Sequence, residues 1–160
     1  MAVDMFMKLS GIKGESRDKT HKDEIDVLAW SWGLSNSGTA HMGGGAGAGK
    51  ANFQDISFTK YIDLSSTKLM LHCANGGHID EAVLTVRKAG TTPLEYVVIT
   101  MKECMITSVS TGGSGGEDRL TENVSINFAE VSVAYKAQDA KGAAAGGDEF
   151  KWNIAENASS

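Results

Sequence analysis

The stretch with the most chemical potential runs from Gly44 to Lys50, where Gly44, four further residues, Gly49 and Lys50 approach the spacing of a phosphate-binding loop. In such a loop glycine N–H groups cradle phosphates, a lysine reaches the outer ones and the next hydroxyl holds Mg²⁺. Position 51 is alanine, so that hydroxyl is missing. The residues from Ala51 to Phe58 alternate as a strand, so no helix N-terminus is expected to face an anion. His72, Cys73 and His78 carry metal-ligating atoms. Adjacent helical positions point about 100° apart, and no second Cys or carboxylate pair completes four ligands at a familiar spacing. His21 and His41 fall in loops, without a neighbouring nucleophile or carboxylate pattern. Asp23-Glu24 and Glu117-Asp118 are adjacent acids, which point to opposite sides of an extended chain and do not make an acid–base pair. The expectation is a protein with no catalytic residue, no metal site and no cofactor.

The elements that must position these residues are strands. Met105 to Tyr135 reads as strand, glycine-rich turn and long strand. Leu120, Val124, Ile126 and Phe128 alternate with Thr121, Asn123, Ser125 and Asn127, the period of a strand with one buried face. At Ala129-Glu130 the phase slips, and Val131, Val133 and Tyr135 continue on the other parity. One extra residue is a β-bulge, and a long strand bent in its middle suits a barrel. Further strands are expected at Val3–Leu9, Glu24–Leu34, Phe53–Ile62, Ile79–Lys88, Leu94–Ser108 and Phe150–Ile154. Within Glu24–Leu34, Ile25 and Val27 take one face while Leu28, Trp30, Trp32 and Leu34 take the other, so the two tryptophans anchor a core or an interface.

One helix is expected, started by Ser65 or Ser66 and stopped by Asn75-Gly76. Ser35 to Lys50 is low in complexity and rich in glycine, so alone it cannot offset its ordering entropy and is expected as a mobile loop. Gln138 to Glu149, rich in Ala, Gly and charge, reads as a flexible connection.

At 160 residues a single domain over the whole chain is expected. A net charge of −5 with no clustered basic run argues against a nucleic-acid partner. Apolar runs are too short to span a membrane as a helix. The start, Met1 to Phe6, has neither a basic n-region nor a long apolar h-region, so no ordinary signal peptide is expected. Two cysteines, Cys73 and Cys104, read as reduced core residues rather than a disulfide framework.

Several blocks together resemble one family: D-K-T-H-K-D-E-I-D-V-L-A-W-S-W-G, H-M-G-G-G-A-G-A-G-K, F-T-K-Y-I-D, L-T-V-R-K-A-G and S-V-S-T-G-G-S-G-G-E-D-R-L-T-E-N-V. The chain is similar to the haemolysin-coregulated proteins (Hcp), which form the tube of the bacterial type VI secretion system. The resemblance implies a mainly β fold, a small β-barrel of two antiparallel sheets with one flanking short α-helix. It implies a homohexameric ring, stacking of rings into a hollow tube, and export from the cytoplasm through the system itself. Implied partners are other copies of the chain, the sheath, the spike tip protein and small effectors carried in the lumen. A cargo-binding ring or chaperone that forms no tube, and a small-ligand β-barrel, stay open beside it. On that frame, Gly112, Gly113, Ser114 and Gly115 are expected at the central opening, where small residues leave room for cargo. The loop holding His41, Met42, Gly43, Gly44, Gly45 and Lys50 is expected to reach a neighbouring ring or subunit and order there.

Overall fold

The computed structural model describes residues 2–38, 41, 49–90 and 92–160. Among these lie eleven strands and one α-helix: β1 (Val3–Leu9), β2 (Ile25–Ser31), β3 (Leu34–Ser35), β4 (Asn52–Phe53), β5 (Ile56–Tyr61), α1 (Ser66–Asn75), β6 (His78–Lys88), β7 (Leu94–Thr111), β8 (Thr121–Asn127), β9 (Glu130–Gln138), β10 (Ala144–Asn153) and β11 (Ala158–Ser159). Strands β7-β6-β1-β2-β5-β8 are neighbours in that order, and β8 pairs back onto β7, which closes a six-stranded antiparallel barrel. Beyond β7 the same sheet continues through β9, β10 and β11 as a wing outside the barrel, and β3–β4 form a separate two-stranded ribbon. The expected fold is present: mainly β, a small barrel, one flanking helix. No helix among the described residues is long and apolar enough to cross a membrane.

The phase slip read at Ala129-Glu130 belongs to a crease that crosses several strands. In β7, Ile99 and Met101 are buried on odd positions, then Cys104 and Ile106 on even ones. Glu103, between them, sits at φ 54, a left-handed conformation costing on the order of 1–2 kcal/mol in a residue with a side chain. In β6 the buried set moves from Ile79 to Ala82, Leu84 and Val86. Across β8 and β9 it moves from Ile126 and Phe128 to Val131. Ile79 faces Cys104, Ala82 faces Met101, Met101 faces Val131 and Ile106 faces Ile126. Each strand changes parity in the same row, so pairing continues and the sheet folds. The expected single long strand is instead β8 and β9, separated by Phe128-Ala129. β8 closes the barrel against the second half of β7, and β9 leaves it along the first half.

Three other expectations are corrected. Glu24–Leu34 divides into β2 and β3, and a bulge between Val27 and Ala29 resets the phase. Trp30 therefore pairs with buried Phe58 and packs against the same core as Ile25 and Val27 rather than facing away. Phe53–Ile62 divides into β4 and β5. Residues 144–149, expected inside a flexible connection, form the first part of β10, paired with β9 through a bulge between Ala144 and Gly146. Only the turn around Asp139–Ala143 remains as a connection; there the Asp139 carboxylate accepts from the N–H groups of Lys141 and Ala143 at 2.8 and 2.9 Å.

The helix ends as its sequence predicts, with Gly76 at φ 67 and its N–H on His72 O. Its N-cap residue is Ser65, one of the two expected, but no side-chain hydrogen bond caps it. The Ser65 hydroxyl donates to Asp63 Oδ1 at 2.5 Å, and the Ser66 hydroxyl donates into the barrel to Glu122. Leu69, fully buried, is worth roughly 1.5–3 kcal/mol, which holds a helix too short to persist alone.

One end of the barrel is filled by charge. Lys60 and Glu122 face each other across β5–β8, both fully buried, with the lysine Nζ bonded to Glu122 Oε2. Nζ also lies 2.9 Å from Asp63 Oδ1 and donates to Ser66 Oγ at 3.1 Å. Glu122 Oε1 has no partner among the described residues. Desolvating such a pair is costly, so its members are interdependent. Lys60→Met leaves a buried carboxylate without its cation and is expected to cost about 3–5 kcal/mol in urea denaturation, with most of that recovered in Lys60→Met/Glu122→Leu. A Lys60→Met protein as stable as wild type would show that the pair carries little.

A second cluster pins the loop between β1 and β2 over the outer face of the barrel. Arg87 donates to Asp4 Oδ2 at 3.0 Å and to both Asp18 oxygens at 2.7 and 3.0 Å, and lies 5.1 Å over the Phe6 ring. His21 also stacks on Phe6, with ring centroids 4.4 Å apart and Glu24 and Glu95 opposite its two ring nitrogens at 3.0 and 2.6 Å. The Arg87 guanidinium holds the Asp18 carboxyl well below the usual carboxylate range. A depressed carboxyl stabilises the fold above its unfolded pKa of about 4 and loses that contribution as the pH falls below it. The stability advantage of wild type over Asp18→Asn should therefore be full at pH 7 and shrink on acidification below about pH 4, read from urea midpoints at each pH. A difference that does not change with pH would remove the Asp18–Arg87 pair from the stability account.

Candidate functional site

No three His, Cys, Asp or Glu side chains among the described residues converge on a point a metal could occupy. His72 is half-buried and its Nδ1 sits 2.8 Å from Lys68 O. Cys73 is half-buried; Cys104 is buried, and burial pushes its thiol up to about 12, which removes it as a nucleophile at neutral pH. Glu117 and Asp118 are exposed on the β7–β8 turn, while Glu24 is taken up by His21. Lys50 is followed by β4 rather than by a helix, and Gly49 O accepts from Asn36 Nδ2 at 2.6 Å. The surfaces that remain are those on which another molecule could lie.

Gly112, Gly113, Ser114 and Gly115 occupy the exposed tip of the β7–β8 hairpin, where Glu117 N donates to Ser114 O at 3.2 Å. A Cβ on Gly112 or Gly115 would meet nothing within 4 Å, whereas one on Gly113 would come 2.4 Å from the Leu120 side chain. The tip therefore has open space on its outer side and Leu120 beneath it. Below the tip, Arg119 stacks 3.7 Å over Tyr61, beside Asp26. Burial pushes the Asp26 carboxyl above its ordinary range, opposed by the charge of Arg119.

The loop expected to contact a neighbour begins and ends on the β3–β4 ribbon, where Leu34 pairs with Phe53 and Ser35 with Asn52. His41 and Lys50 are exposed; Met42, Gly43, Gly44 and Gly45 lie outside the described residues. The tip and the loop stem are not brought together. The tip lies where Tyr61 faces Thr121, and the stem joins β5 at its other end, where Ile56 faces Ile126.

The stem is tied to the wing by rings. Trp32, Phe53, Trp152 and Phe150 follow one another with centroids 6.3, 6.3 and 6.4 Å apart, and the Trp32 indole donates to Gln54 O at 2.9 Å. The wing is the surface that sequence reasoning missed. In β10 every residue from Ala144 to Lys151 is exposed, and Tyr135 on β9 is exposed as well. The composition A-A-G-G-D-E has no apolar alternation, so only the late aromatic pair, Phe150 and Trp152, signalled a strand.

The sequence model of the family described as "Type VI secretion system effector, Hcp" matches residues 6–135. Protein hcp1 of Pseudomonas aeruginosa strain PAO1 is 61% identical over 159 residues, covering 98% of each chain. Among solved structures, Hcp1 from Salmonella typhimurium is 36% identical with a TM-score of 0.82, covering 99% of both chains. A type VI secretion system effector from Yersinia pestis is 34% identical with a TM-score of 0.78, covering 94% of this chain and 100% of its own. Barrel, helix and wing are thus shared over nearly the full length, and this chain belongs to the Hcp family of type VI secretion proteins.

Proposed function

We propose that this chain is the structural subunit of a type VI inner tube: six copies close into a ring, rings stack, and the lumen carries small effectors outward. The observation that carries the reading is the wing. Its outer strand exposes Ala144 to Lys151, and β11 pairs only with Trp152 and Asn153, so the rest of that edge has no strand partner among the described residues. An ordered strand that is exposed over eight residues and presents a free edge invites pairing or packing with another chain. A ring supplies that partner in every copy through a head-to-tail contact whose rotation closes. The number six comes from the family. In this reading the loop over residues 35–50 meets the next ring from its β3–β4 stem. The sheath and the spike tip protein are the further partners, and no catalytic step is needed.

Size-exclusion chromatography with light scattering should give a mass near six times 16.9 kDa, and electron microscopy should show annular particles. Phe150→Asp, on the exposed wing, should lower the mass without changing far-UV circular dichroism. A monomeric wild type at micromolar concentration without annular particles would overturn the ring.

The hairpin tip at Gly112–Gly115 is the proposed cargo-facing position, supported by the open space beyond its glycines. Ser114→Arg should leave the ring mass unchanged and reduce effector co-purification, because a long side chain fills that space without touching the core. Unchanged effector recovery on an intact Ser114→Arg ring would place cargo elsewhere.

A further inference from the structure

Behind the hairpin tip, the outward side of the barrel carries no charge over three strands. Phe58 and Val124 face each other inside the barrel, so the residues on either side of them in β5 and β8 face out. Strand register sets the outward residues in two rows, Ser57–Ser125–Ser108 and Thr59–Asn123–Ser110. All six are short and uncharged. Their polar groups are partly taken up by one another. The Thr59 hydroxyl donates to Asn123 Oδ1 at 2.6 Å, and the Ser108 and Ser125 hydroxyls lie 2.5 Å apart.

Charge appears only where this face ends. Asp55 stands at one end, accepting from Thr107 and Asn127, and Arg119 lies over Tyr61 at the other. Elsewhere the same sheet does the opposite: the row Glu81–Lys102–Glu130 bears a charge at every position. A surface that only has to stay in water is charged at about a quarter to a third of its positions. A surface that binds one partner permanently is anchored by aromatic, methionine or arginine side chains. The two rows contain none of these. Their chemistry fits neither plain solvent nor a fixed partner.

The rows run directly into the tip. Ser110 pairs with Asn123, the next residue, Thr111, pairs with Glu122, and Gly112 follows. We propose that this uncharged face is the wall on which polypeptide cargo lies, and that it accepts cargo of either charge. The inference rests on the ring reading with the tip at the central opening, and it extends the cargo position from the tip along the hairpin. Charge is what lets a surface attract one partner and repel another. Short hydroxyl and amide groups offer every chain the same weak polar contact, so cargo is held without selection by charge and is free to leave.

The test uses the assembled ring and two probes: a small effector encoded beside the secretion genes, and the same effector with surface lysines exchanged for glutamates. Each is co-expressed with the ring, and the amount retained per ring is measured at low and high salt. Ring mass by light scattering is the control for assembly. Wild type should retain the two probes within about threefold of each other and lose less than about threefold on adding salt, which screens charged contacts. Ser57→Lys and Ser110→Lys, both at exposed positions, should favour the acidic probe by about tenfold or more, and salt should erase that preference. Strong dependence on charge or salt in the wild-type ring would overturn charge-blind binding. Lysine variants that retain both probes as wild type does would show that cargo does not lie on this face. An intact wild-type ring that retains neither probe would overturn the cargo reading itself, and a wild type without rings would overturn the ring.

Discussion

Everything in this molecule depends on β7 pairing with three different strands along its length while changing direction. Its first half pairs with β6 and β9, and its second half with β8, so one strand belongs to the barrel wall and to the wing at once. A straight strand cannot do this without turning its buried side chains toward solvent. The crease resolves the conflict: Glu103 adopts a left-handed backbone and the neighbouring strands shift parity in the same row, so both halves keep apolar residues inward. The local strain at Glu103 is small against the burial of Ile99, Met101, Cys104 and Ile106, each worth of order 1–3 kcal/mol.

The two ends of the barrel wall are held by different physics. Apolar packing fills the middle, but Lys60 and Glu122 occupy core positions at one end, where the alternation of β5 and β8 turns them inward. That end also anchors the start of α1 through Ser66, so helix placement and barrel closure share one polar cluster. On the outer face, Arg87, Phe6 and His21 hold the β1–β2 loop by stacking and by charge-assisted bonds. Both clusters are directional, and both fix elements that apolar packing alone would leave free to slide.

What the core does not use faces outward in a pattern that suits assembly. The barrel satisfies its own strands by closing, whereas the outer edge of β10 before Trp152 has no strand partner among the described residues. A closed barrel is a compact platform that leaves the outer edge of β10 exposed. The aromatic series from Trp32 to Phe150 links the loop stem to the wing by ring contacts.

Much of the fold was legible in the sequence because strand periodicity is local. The alternation around Ile126, the phase slip after Phe128, the Asn75-Gly76 stop and the blocks shared with a known family were all readable without coordinates. Three things were not. The bulge at Val27–Ala29 moves Trp30 to the core by a single extra residue, which leaves no mark on the pattern. The strand at 144–149 owes its order to hydrogen bonds with β9, not to its own side chains, so its composition read as a connection. Lys60 and Glu122 look like solvent charges one at a time and become a buried pair only when β5 and β8 are set in register. The sequence by itself determined most of the strand segments of the barrel and the family to which the chain belongs, because both are written in short-range order. Only the tertiary structure decided which charges are buried and which faces stay uncovered, because those depend on pairing between residues far apart in the chain, 62 positions in the case of Lys60 and Glu122.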